Sequence, residues 1–121
     1  MHGLEEYRWK YRTLLLFGED EDPAVQNQLD RIRSDIAGFR DRDMIVVQIS
    51  GSRTNVVAGD VSPSDGAALR KNWHNEPQFA VVLVGKDGGE KLRRDSPVAI
   101  EELFALVDSM PMRQSEMRNR S

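Results

Sequence analysis

Three short runs of almost unbroken apolar residues limit most strongly what this chain can fold into: residues 13–17 (TLLLF), 44–49 (MIVVQI) and 79–84 (FAVVLV). A strand with one wet face alternates apolar and polar residues. Runs like these, the second of them rich in β-branched residues, read as strands covered on both faces, hence inner strands of a sheet. Three such strands require layers packed on each side of that sheet. Each run is far shorter than the roughly 20 apolar residues that span a bilayer, so no membrane span is expected. With 121 residues, the chain has the size of a single domain.

The segments between the runs supply the other elements. Gly18 closes the first run, and Glu19-Asp20-Glu21-Asp22-Pro23 follows. Asp22 and Pro23 read as a helix N-cap and first helical residue. Val25, Leu29, Ile32, Ile36 and Phe39 recur at spacings of four and three, which predicts one helix over about 23–39. Residues 40–43 form a charged turn. The Gly, Ser, Asn and Asp content of 51–63 predicts a loop, with at most a short extended piece at 54–58. Ser64 or Asp65 is placed to cap a short helix carrying Leu69 and Trp73. Asp87-Gly88 after the third run predicts a tight hairpin turn, with 90–93 returning as an exposed edge strand. Ser96-Pro97 is placed to start a last helix whose stripe is Ile100, Leu103, Phe104 and Val107, with Pro111 marking its end. The tail at 112–121 has charge without periodicity and receives no element. The order is β-α-β-α-β-β-α, with two βαβ-like crossings and then a hairpin. This is an α/β mixed sheet with helices on both faces, in the order of the thioredoxin core.

Three stretches carry a more specific likeness. Tyr7-Arg8-Trp9-Lys10-Tyr11-Arg12 leads into the first run. Residues 79–93 (FAVVLVGKDGGEKLR) and 108–117 (DSMPMRQSEM) complete the set. Together they resemble the bacterial branch of the DUDES family, a domain of unknown function also found in vertebrate sushi-repeat proteins and equarin. The likeness extends over nearly the whole chain. It implies a single thioredoxin-like domain without established chemistry, and no catalytic or binding residue is carried over from it. Because vertebrate members are secreted and many bacterial members carry export signals, it implies a periplasmic or secreted protein. The residues alone are also consistent with a cytoplasmic one.

The chain has no cysteine, so the thiol chemistry of the thioredoxin fold, which needs a nucleophilic thiolate at the start of the first helix, is excluded. Glu19, Asp20, Glu21 and Asp22 occupy that position. They read first as carboxylates offsetting a helix dipole, with a divalent-cation site as the alternative. Ser50, Ser52 and Arg53, just past an inner strand, read as a polar loop, with an anion site as the alternative. Arg8, Trp9, Lys10, Tyr11 and Arg12 interleave cations with aromatics. They read as an edge strand whose alternate residues pack inward, with a glycan- or base-stacking surface as the alternative. Arg113 lies in a positively charged tail beside Met110 and Met112, which read as packing back on the domain or meeting a partner. His74 reads as a capping or surface residue, and residues 85–89 (GKDGG) read as a hairpin and not a phosphate loop, whose spacing they lack. The proline that flanks a thioredoxin active site has no match here: counting back from the Asp87-Gly88 turn puts Ala80 at that position, with Pro77 about three residues earlier.

A net charge of −3 argues against nucleic acid as the main partner. The expected function is a redox-inactive binding module, with a protein, a glycan or a small anion as partner and no cofactor. The competing readings are an enzyme using Glu19, Asp20 or Asp22 with Arg53, and a structural or assembly protein.

Overall fold

The protein is described by a computed structural model at residues 7, 9–59, 66–74 and 78–119. Along these residues run β1 (Arg12–Phe17), α1 (Pro23–Arg33), α2 (Ile36–Asp41), β2 (Met44–Ser50), β3 (Arg53–Ala58), α3 (Gly66–Trp73), β4 (Ala80–Val84), β5 (Glu90–Arg94), α4 (Ile100–Asp108) and α5 (Pro111–Arg118). The sheet order is β3-β2-β1-β4-β5. The three apolar runs are therefore its central strands. β1 is parallel to β2, with Arg12 opposite Met44, and antiparallel to β4, with Phe17 opposite Ala80.

Period-2 alternation along the central strands divides the core into two layers. Leu14, Leu16, Val46, Val81 and Leu83 face α1, α2 and α4, where Leu29, Phe39 and Leu103 are buried. Leu15, Phe17, Val47, Ile49 and Val82 face α3 through Leu69. Helices cover both faces, as the unbroken apolar runs require. The outer strands are the polar ones, and β5 buries only Leu92.

Several expectations are corrected. The helix expected over 23–39 breaks at Ser34–Asp35. The Ser34 hydroxyl donates to the Arg31 carbonyl, and Asp35 turns its carboxylate to accept from the Gly38 amide. Short polar side chains here compete with the helical ladder. The apolar stripe survives because α2 re-enters with Phe39 buried. Residues 53–58 form a full strand paired with β2, reached through Gly51 at φ 63. Of the two crossings, the first joins parallel strands, whereas β4 returns antiparallel to β1.

The last helix starts at Ile100 with Ala99 as its cap, not at Ser96-Pro97. Residue 98 is held outside the helix by α1: Gln28 donates to the Val98 carbonyl and accepts from the Val98 amide. Pro111 does not only end one helix; it is the first residue of the next, α5, in the tail that had received no element. The segment before β1 is a turn and not an edge strand. Lys10 and Tyr11 both donate to the Tyr7 carbonyl, and Trp9 has φ 71. Arg8, Ser64, Asp65 and Pro77 lie outside the described residues.

Candidate functional site

In an open α/β sheet, ligands settle where strands end and the chain turns away. Here β1 and β2 end side by side, and the Gly18 amide donates to the Ile49 carbonyl. Gly18 has φ 150, and a Cβ there would stand 2.6 Å from Val25 Cγ2, so the turn into the acidic segment needs glycine.

The four acids then separate in role. Asp22 caps α1 by accepting from the Ala24 amide at 2.9 Å. Glu19 and Glu21 are exposed. Asp20, half exposed, accepts from Gln48 Nε2 at 2.7 Å through one oxygen and from Arg53 Nη2 at 2.9 Å through the other. The hydrogen bond and charge of Asp20, aided by Glu19 and Glu21, raise the Arg53 guanidinium further above its already high value. Asp20, Gln48, Ser50, Arg53, Thr54 and Asn55 line a cavity of ≈ 250 Å³. Asp20, Ser50 and Arg53 are thus brought together. Ser52 is exposed outside that lining, its carbonyl closely approached by Gly66. Gln48 was missed, although it is the one polar residue in the run 44–49 and marks the end that faces this cavity.

Arg12, Trp9 and Arg113 lie at the other end of β1. Arg12 is 1% exposed and donates to the Arg42 carbonyl and to both oxygens of Glu116. Lys86 joins Glu116 at 2.6 Å and Asp43 at 3.0 Å. Arg113 reaches Asp41 and Asp108, and Arg42 also pairs with Asp108 while stacking 3.9 Å over the Phe104 ring. Burial opposes charge on Glu116, but hydrogen bonds from Lys86 and Arg12 outweigh it and hold the carboxyl below its ordinary range. Asp108 is lowered in the same way: burial is opposed and outweighed by Arg42 and Arg113. The tail packs on the domain through these pairs.

His74 directly follows α3 and closes its last turn, its amide donating to the Arg70 carbonyl. Its Nε2 is 2.9 Å from the Gln78 carbonyl, an acceptor, and therefore carries the hydrogen. Residues 85–89 form the expected hairpin, with Gly88 at φ 87.

A family profile described as Domain of unknown function (DUF4174) matches residues 3–116. The chain belongs to this family. The DUF4174 domain is 28% identical to coiled-coil domain-containing protein 80 of Danio rerio over 133 aligned positions, covering 94% of this chain and 15% of that protein. The chain thus spans less than a sixth of that relative. Among solved structures it resembles the reduced 2-Cys peroxiredoxin of Plasmodium vivax, with TM-score 0.66, 12% identity, and 93% and 84% of the two chains covered. It also resembles Plasmodium yoelii Prx1a, with TM-score 0.67, 14% identity, and 93% and 80% covered. At such identities the likeness shows the fold alone, and that fold is thioredoxin-like. The DUF4174 domain described here carries this fold without any cysteine.

Proposed function

We propose that the domain is a redox-inactive binding module that takes a neutral, hydroxyl-rich ligand such as a glycan at the paired ends of β1 and β2. The observation that carries this reading is the state of Asp20. Both its oxygens are occupied by Gln48 and Arg53, so the carboxylate orients donors and is not a free base. The same pairing neutralises Arg53, and Glu19 and Glu21 stand nearby, which disfavours a small anion in this cavity. What remains is an amide, hydroxyls and one internally balanced ion pair, suited to hydrogen bonding with a polyol.

The enzymatic alternative gains the meeting of Asp20 with Arg53 but loses Asp22, which is spent on the helix cap. The side chains of Asp20 and Arg53 are also 50% and 74% exposed, so solvent screens the pair. We also propose that the chain belongs to the bacterial branch of the DUDES family and is periplasmic or secreted; the motif likeness supports this reading, and cell fractionation checks the location.

The test is a thermal-shift and amide-NMR screen of the whole chain against neutral and sulfated oligosaccharides. A ligand selective for the folded state must raise stability, by about 2.7 kcal/mol at a hundred times its Kd. The expected result is a neutral glycan that raises Tm, moves the Gln48 side-chain amide and loses its effect in Gln48→Ala. Ligands that perturb only residues away from Gln48 and Arg53, or stabilisation by sulfated glycans alone, would refute the reading.

A further inference from the structure

Helix α5 is fastened to the domain differently from the other helices. α1 buries Val25, Leu29 and Ile32, α2 buries Phe39, α3 buries Leu69, and α4 buries Leu103 and Val107. α5 buries one side chain, and it is a charged one, Arg113. Its methionines, Met112 and Met117, are 40% and 37% exposed.

Ion pairs gathered on two of its residues hold α5 in place. Glu116 takes Arg12 of β1 at 3.2 Å and Lys86 of the β4–β5 turn at 2.6 Å. Arg113 reaches Asp41 of α2 at 2.8 Å and Asp108 of α4 at 3.0 Å, and it also donates to the Asp41 carbonyl. The join to α4 is Met110, an extended residue packed against the core that gives α5 no side-chain cap.

A helix held in this way can leave for less free energy than the sheet needs to unfold. Undocking an apolar face exposes it to water at a cost that grows with its area. Undocking ions returns their hydration, which offsets much of the attraction lost. A helix of 8 residues is also too short to persist alone, so release and unwinding are one event.

We infer that α5 is a strap latched by charge, which opens and closes as a unit on an intact sheet. Its opening has a defined consequence at the surface. Trp9, Lys86, Pro111 and Met112 line one cavity of ≈ 410 Å³, and release of α5 takes that cavity apart. The Asp20 site stands at the opposite end of β1 and keeps its form, so the strap does not depend on the reading of that site.

Native-state hydrogen exchange of the whole chain, followed by NMR at neutral pH, tests the strap. Its reporters are the Gln114 and Asn119 amides, which donate to the Met110 and Ser115 carbonyls at the two ends of α5. The expected result is one opening free energy shared by both, with exchange at least ~10-fold faster than in β1 and β2. Sodium chloride at 1 M, which screens charge, should speed both reporters by a further ~3-fold or more and leave the sheet unchanged. Glu116→Gln should speed them ~10-fold with the Gln48 side-chain amide unmoved, by loss of a charged partner. Met117→Gln, which removes apolar surface at similar helix propensity, should change them by less than ~3-fold. Exchange that matches the sheet, or that grades inward from Asn119 as in a fraying end, would overturn the strap. So would a helix that responds to Met117→Gln and not to salt. The salt series on the unmodified protein decides the question if Glu116→Gln does not fold.

Discussion

One carboxylate, Glu116, serves two buried cations that come from distant parts of the chain. Arg12 is 104 positions away and Lys86 is 30 away, and both are less than a tenth exposed. Removing the acceptor would leave Arg12 without its carboxylate and Lys86 with Asp43 alone, at buried positions where water cannot replace the lost partner. Glu116→Ala is therefore expected to cost about 3 kcal/mol in urea unfolding at neutral pH, the scale of a broken buried pair. Nothing local marks Glu116, which lies in a stretch without apolar period. The opposite holds for Asp22, whose role is legible because Asp before Pro at the start of an apolar stripe is local chemistry. Asp20 falls between these cases. Its position in the acidic run was readable, but its partners Gln48 and Arg53 depend on where two strands end.

Among the elements, the strands were easiest to read and the helix boundaries hardest. An apolar run long enough for a strand and too short for a helix has one reading when both faces are buried. Helix ends depend instead on which groups compete for backbone hydrogen bonds. The stripe from Val25 to Phe39 is continuous, yet Ser34 and Asp35 break the helix beneath it. The start of α4 is delayed by Gln28, a residue of another helix. Gln28 is fully buried and bonds both polar groups of Val98, at 2.7 and 3.1 Å. Gln28→Leu keeps the volume but orphans a buried amide and carbonyl. The expected loss is about 3 kcal/mol, from a penalty of 1–3 kcal/mol for each unsatisfied group. Equilibrium unfolding measures it, and amide exchange should show residues 97–99 losing protection first.

The molecule as a whole has a hydrogen-bonding cavity at one end of β1 and a charged network at the other, which joins β1, α2 and the turn after it, the β4–β5 hairpin, α4 and α5. The network makes stability depend on acid in a defined direction. Glu116 and Asp108 have lower pKa values folded than unfolded, so their contribution is complete above the unfolded carboxyl range of about 4. It is lost as pH falls through the depressed folded values. Unfolding free energy should be flat from neutral pH to about 5 and then fall, with α5 losing amide protection before the sheet. Glu116→Gln should start lower and show a shallower acid limb; an unchanged limb would mean that other groups control it. The sequence by itself determined the layers, because strand burial on two faces follows from residue pattern alone. It also determined the absence of thiol chemistry, which follows from composition. Only the tertiary structure decided which ends of which strands meet and which ions pair. It also decided that Trp9, Lys86 and Met112 share one cavity. Those relations join residues tens of positions apart, and no local propensity encodes a distance between them.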